Sequence, residues 1–204
     1  EYQINLLDQN NHIFFKFLFE NRLLDIVKSY LGNYFTLNGA YFMYSENKHF
    51  GIGHSQELHL DGDALKQLKI FVHLSDVDSS SGPLHVLKKK KSKFLFSQSY
   101  KQGLIKRRSH KISDNKVSKD ILNEVLPLLG PKGTINIVDT SNCYHFGSRP
   151  GNDDRLILLF QFLSSFSYKT RFFPNKDLIK NSDFLNEQEI KKINNIIKFS
   201  DFAI

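Results

Sequence analysis

The sequence has no tryptophan, one methionine, one cysteine and five prolines in 204 residues. A single Cys143 forbids any intramolecular disulfide and excludes a zinc site built from several cysteines of one chain, so a reducing compartment and a cytoplasmic location are expected. No apolar run approaches the roughly 20 residues that span a bilayer, and no secretory segment follows a basic start. Leu156 to Phe160 is typical of the longest runs. A Gly-x-Ser-x-Gly elbow, a Walker loop and a Gly-x-Gly-x-x-Gly after a strand are absent, which removes the common hydrolase, nucleotide-hydrolysing and dinucleotide-binding classes. The chain opens on Glu1 rather than Met, and its natural N-terminus is expected to lie upstream.

With 40% hydrophobic and 24% charged residues, the chain can bury a core, and its length suits one domain of ordinary size spanning 1–204. The formal charge of +7 is unevenly spread. Residues 88–119 carry 12 Lys/Arg against one acid, Asp114, and the rest of the chain is net acidic. The body is mildly acidic, with a basic insert over 88–119 that begins at Lys88-Lys-Lys-Lys91, the one low-complexity run.

Apolar positions at 19, 23, 24, 27 and 31 have helical spacing, and Gly32 is placed to stop that helix. From Tyr34 the texture changes to short apolar runs broken by turn residues. Strands are expected near 34–46, 56–60, 67–75, 83–87, 133–138, 143–146 and 154–163, an order that favours an antiparallel sandwich or barrel. Ser118 to Leu129 reads as a helix with Pro127 near its end. A capping box, Asn186 with Glu189, opens a C-terminal helix over 186–199.

Eight histidines invite a metal hypothesis. His59-Leu60-Asp61 places two donors two residues apart, on one face of a strand. Chance alone supplies roughly 0.5 His-x-Asp pairs in such a chain, so the pair by itself also fits two polar residues at a strand end. His145 follows the predicted strand Thr134-Ile-Asn-Ile-Val138, and Arg155 opens the apolar strand Leu156-Ile-Leu-Leu-Phe-Gln-Phe. A guanidinium cannot lose its charge on burial, so Arg155 needs either a carboxylate ligand or a surface pairing with Asp153 or Asp154. Two His and one carboxylate on one face of an iron leave three positions open, the facial arrangement of non-heme Fe(II) oxygenases.

The order His59-x-Asp61, distant His145, then Arg155 resembles the Fe(II)- and 2-oxoglutarate-dependent dioxygenases, specifically the phytanoyl-CoA dioxygenase-like branch. The segments Leu68 to Leu87, with its acidic turn and Gly82-Pro-Leu, Gly133 to Asp139, and His145 to Arg155 carry the same resemblance. It implies a mainly β fold, a double-stranded β-helix (jelly-roll, cupin-like) with helices packed outside. It further implies that His59, Asp61 and His145 ligate Fe(II), that Arg155 grips the far carboxylate of 2-oxoglutarate, and that O2 is the second co-substrate. Phe71 would lie against 2-oxoglutarate. Ser148 is a hydroxyl partner for its carboxylate, although it stands three residues after His145 where relatives often have Ser at two, and Gly147 holds that place. Tyr44 and Tyr41 are further candidates, with core packing as their other role. Halogenating relatives lack the carboxylate that Asp61 supplies, so hydroxylation of a small-molecule substrate, with succinate and CO2 as co-products, or a related desaturation or ring closure, is favoured over halogenation.

Lys88 to Lys91 replaces the Pro-Gly-Ser-His turn common in these relatives, and it is expected to line the substrate entrance and to favour an anionic substrate. Two other functions stay open: a non-catalytic cupin-like binding protein, and a nucleic-acid-binding module using Phe94, Phe96 and Tyr100 among the basic residues. The second is disfavoured because the charge is confined to one insert. His73 is expected on the face of Phe71, either beside the site or partly exposed, His85 is a competing donor, and His49, His54 and His110 read as loop residues. Oligomeric state stays open.

Overall fold

A computed structural model describes residues 2–6, 12–20, 22–46, 54–107, 111–149, 151–164 and 179–198. His49, His110 and the side chain of His54 lie outside the described residues. The chain forms two antiparallel sheets with helices against them. Strands β1 (Tyr2–Asn5), β2 (Phe35–Ser45), β3 (Gln67–His73), β6 (Ile135–Val138) and β8 (Arg155–Ser164) make a five-stranded sheet in the order β1-β2-β8-β3-β6. Strands β4 (His85–Val86), β5 (Leu126–Pro127) and β7 (His145–Phe146) make the second, in the order β5-β4-β7. His59 adds to its β7 edge by a two-way backbone bridge with His145. This sheet-rich antiparallel arrangement is jelly-roll-like.

The alternation of β8 decides how the large sheet is used. Leu158, Phe160 and Phe162 point to one face and are buried with Leu68, Ile70 and Val72 of β3. Helices α1 (Ile13–Glu20), α2 (Leu23–Leu31) and α5 (Glu187–Lys198) cover that face through Phe15, Leu18, Leu23, Leu24, Val27, Ile193, Ile196 and Ile197. Arg155, Ile157, Leu159 and Gln161 point to the other face and line a cavity together with residues of the second sheet. A second apolar cluster, with Leu58, Leu87, Leu95, Ile105, Ile112, Tyr144 and Phe146, lies behind the small sheet.

Several expected elements take a different form. The helix read over 19–31 is two helices, broken at Arg22, whose φ of 53° is left-handed; Gly32, at φ 94°, stops the second as expected. The helix read over Ser118 to Leu129 is only one turn, α4 (Lys119–Leu122), after which Leu126–Pro127 joins β4. Pro127 has no amide hydrogen to donate, and β5 is an edge strand, where that loss is tolerated. The stretch 56–60 is a short 3-10 turn (His54–Gln56) followed by single bridges at Leu58 and His59 rather than a continuous strand. β1, pairing with β2, was not expected.

The lysine run opens a helix, α3 (Lys89–Lys101). Cations at a helix N-terminus oppose the helix dipole, and here Lys89 meets Asp139 at 3.3 Å and Lys91 meets Glu124 at 2.5 Å. Ser92, Leu95 and Ser99, at helical spacing, are the residues α3 buries. The Ser92 hydroxyl donates to Leu87 O and accepts from Tyr144 N, both at 2.9 Å, which ties α3 to the residue before His145. The capping box forms as read: Asn186 N donates to Glu189 Oε2 at 2.9 Å, and Glu189 N donates to Asn186 Oδ1 at 3.0 Å. No helix among the described residues is long and apolar enough to cross a membrane.

Candidate metal centre and its cavity

His59 and His145 are brought together by main-chain pairing. His59 N donates to His145 O at 3.1 Å and His145 N to His59 O at 3.0 Å, so the two side chains leave the sheet on one side with ring centroids 4.3 Å apart. Asp61 is fixed two residues on by its own N–H, which donates to Thr140 O at 2.9 Å. Asp61 Oδ1 lies 3.8 Å from Nε2 of each histidine. One donor atom from each residue falls within 4.8 Å of the others, a grouping that could hold a metal ion.

The remaining polar atoms of these side chains are held from behind. His59 Nδ1 is 2.8 Å from Glu57 O, and His145 Nδ1 is 3.0 Å from Cys143 O. A proton on each Nδ1 satisfies those carbonyls and leaves both Nε2 lone pairs facing Asp61. Burial pushes both imidazoles below their ordinary range, His145 to about 4, so both are neutral near pH 7. Asp61 Oδ2 accepts from Gln67 Nε2 at 2.7 Å and from Lys69 Nζ at 2.8 Å. Burial pushes the Asp61 carboxyl up, but Lys69, His145 and the hydrogen bonds from Lys69 and Thr140 together outweigh it, holding the group well below the usual carboxylate range.

Gln67 is completely buried and extends this support: its amide nitrogen also donates to Thr140 Oγ1 at 2.6 Å, and its oxygen accepts from Gln161 Nε2 at 3.2 Å. Gln161 Oε1 in turn accepts from Asn38 Nδ2 at 3.1 Å, where the β2–β8 register slips between Leu37 and Gly39. Beside the slip, a Cβ at Gly39 would lie 2.3 Å from the Tyr41 ring, so glycine there leaves room for that ring to fold against the strand and face the cavity.

Arg155 is 6% exposed, which removes a surface pairing with its neighbours. Asp154 accepts from the Tyr44 hydroxyl and Asp153 from Ser80 Oγ. The guanidinium lies in the cavity wall, where Nη2 donates to Ser148 Oγ at 2.7 Å, and Ser45 Oγ stands 3.2 Å from Ser148 Oγ. Ser148 reaches this position by adopting φ 56°, a left-handed conformation rare outside glycine. Its backbone is clamped there, N to Gly82 O at 3.1 Å and O from Gln56 Nε2 at 2.6 Å.

The cavity, about 350 Å³, is lined by His59, Asp61, His145, Arg155, Phe71, Ser148 and Tyr41, all candidates from the sequence. The candidate Tyr44 is the exception. Along β2, Tyr41 and Met43 face the cavity and Tyr44 faces outward, 38% exposed and stacked on Tyr2, so the period of two that admits Tyr41 excludes its neighbour. His73 is 3% exposed and faces the cavity, its Nε2 3.1 Å from Asn136 Nδ2. His85 instead stacks on Phe146, centroids 4.5 Å apart. Among the described residues of 88–119, none lines the cavity wall, so the basic insert takes no part in that wall. Lys69, Gln67, Gln161 and Asn136 were not singled out; the only signal for them was the same-face spacing 67, 69, 71, 73 on β3 and the polar Gln161 inside an apolar strand.

The sequence matches no protein-family model and no curated protein. By structure the chain is similar to HygX from Streptomyces hygroscopicus with iron bound, at 14% identity and a TM-score of 0.54 over 81% of this chain and 73% of that one. HygX has also been crystallised with nickel and 2-oxoglutarate. EctD from S. alaskensis with 2-oxoglutarate and 5-hydroxyectoine matches at 14% identity and a TM-score of 0.51, covering 80% of this chain and 56% of that one. SnoN, a non-heme alpha ketoglutarate dependent epimerase from nogalamycin biosynthesis, matches at 12% identity and a TM-score of 0.52, covering 80% and 62%. The chain also spans 35% of the length of EvdMO1. At these identities the likeness is one of fold: this chain shares its fold with proteins crystallised with iron or 2-oxoglutarate.

Proposed function

We propose that this chain is an Fe(II)- and 2-oxoglutarate-dependent oxygenase of the phytanoyl-CoA dioxygenase-like kind, a single domain on a double-stranded β-helix that hydroxylates a small molecule and releases succinate and CO2. One observation carries it: two imidazole Nε2 atoms and one carboxylate oxygen converge on a cavity whose wall also holds a buried arginine. The donor set fits a first-row divalent ion, because both imidazoles are neutral, each is oriented through its Nδ1, and the carboxylate offers one oxygen while the other is engaged. His59, Asp61 and His145 would hold the iron. Bound there, the iron supplies the activation of O2 that no side chain can provide.

The protein's own residues account for the rest. The Arg155 guanidinium presents a planar fork to the far carboxylate of 2-oxoglutarate, and the Ser148 and Ser45 hydroxyls beside it add donors. Phe71, on β3 in the wall of the same cavity, would pack against the co-substrate's carbon chain. Ile157 and Leu159 make that wall apolar and exclude water. A space of about 350 Å³ accommodates the co-substrate with a small molecule, or with the reacting end of a larger one.

Anaerobic addition of Fe(II) and 2-oxoglutarate should produce the weak visible charge-transfer band of their chelate. The band should vanish in His59→Ala and weaken strongly in Arg155→Ala. No band in the wild type, or a band that survives both substitutions, overturns the assignment.

A further inference from the structure

The oxygen of Asp61 that faces away from the histidines has two donors of different kinds. Gln67 Nε2, at 2.7 Å, is neutral and is itself locked by Thr140 and Gln161. Lys69 Nζ, at 2.8 Å, is a full positive charge whose side chain is only 18% exposed. Gln67 already orients the carboxylate, so orientation alone gives no reason for a cation. The ammonium also reaches into the cavity, from the same face of β3 as Phe71 and His73. Placing a cation beside the ligand set of a divalent ion is electrostatically adverse for the bare ion. It is favourable for anything negatively charged that binds next to that ion.

Building on the metal assignment above, we propose that Lys69 is a positioning residue that sets the charge of the centre. With neutral imidazoles, Asp61 and Lys69 together make a ligand set of zero net charge, so an ion held there keeps its full charge toward a dianionic co-substrate. Without Lys69 the set carries one negative charge, which strengthens the hold on the bare ion and weakens its attraction for the chelating anion. Lys69 therefore shifts affinity from metal alone to metal with 2-oxoglutarate, and it makes the two bind cooperatively.

The sign of the change tests this, because a lysine that merely props up the fold would weaken both partners when removed. Binding of Co(II), a stable stand-in for Fe(II), is measured calorimetrically for the wild type, Lys69→Met, Lys69→Gln and Lys69→Arg, followed by titration of 2-oxoglutarate into each Co(II)-loaded protein. Lys69→Met and Lys69→Gln should bind Co(II) about tenfold more tightly and 2-oxoglutarate about tenfold more weakly. Lys69→Arg, which keeps the charge, should resemble the wild type in both. If Co(II) affinity falls or stays the same in the neutral variants while the wild type binds normally, Lys69 has no such role and the metal centre stands without it. If the wild type binds no Co(II), the metal centre itself is wrong and this role falls with it.

Discussion

His59 and His145 exchange both of their backbone hydrogen bonds, at 3.1 and 3.0 Å, although 86 positions separate them in the chain. That one non-local bridge places two imidazole rings 4.3 Å apart and makes a donor set of residues that are otherwise unrelated. Because the pairing is main-chain, it survives removal of either ring, and single substitutions there read out the metal rather than the fold.

Divalent metal at about 100 times its Kd should stabilise the wild type by about 2.7 kcal/mol, a rise in Tm of roughly 5 to 10 °C for a chain of this size. His59→Ala, Asp61→Ala and His145→Ala should each lose that rise in a melting experiment with Co(II) while remaining folded without it. A full rise in any of the three would remove that residue from the ligand set.

Ser148 and Gly82 both sit at positive φ, 56° and 59°, and touch through Ser148 N and Gly82 O. Ser148→Gly relieves the left-handed strain and should hold or raise Tm, whereas Ser148→Ala keeps the strain and should lower it by about 1 kcal/mol equivalent. Both remove the hydroxyl bonded to Arg155 and should raise KM for 2-oxoglutarate. Gly82→Ala is the severe case, since its Cβ would lie 2.4 Å from Arg149 O, a backbone atom. It should cost about 2 kcal/mol or more, measurable by denaturant unfolding.

Acid should destabilise the metal-free protein earlier than its carboxylates alone require. His145 is held at about 4 in the folded chain by burial, against an ordinary value of 6.5 when unfolded. Between those values the unfolded chain binds the extra proton, so stability is fully present above about pH 6.5 and is lost as the pH falls toward 4. Tm measured across this window should fall in the wild type, and the fall should be shallower in His145→Gln.

The lysine run should matter little to the cavity. Lys89→Gln removes the contacts with Asp139 and Tyr30 and should cost only about 0.2 to 1 kcal/mol, and Lys88→Gln or Lys90→Gln should cost nothing measurable. KM for 2-oxoglutarate should be unchanged in all three across ionic strength. A salt-dependent rise in KM would return the insert to the cavity rim.

The sequence by itself determined what depends on period and on residue chemistry. Alternation along 67–73 put His73 on the face of Phe71. The resemblance carried by His59-x-Asp61, His145 and Arg155 marked those four residues as candidates, and Asn186 with Glu189 named a helix start, a local rule acting over a few residues. Only the tertiary structure decided what depends on which strands are neighbours and in what register. Tyr41 rather than Tyr44 faces the cavity because β2 slips by one residue beside Gly39, and Pro127 ends in a strand because β4 offers it an edge. Lys69 and Gln67, on one face of β3, meet Asp61 only in the folded chain. A local spacing cannot encode a pairing between distant segments, since the free energy that selects it comes from burial and hydrogen bonds formed only when the whole sheet closes.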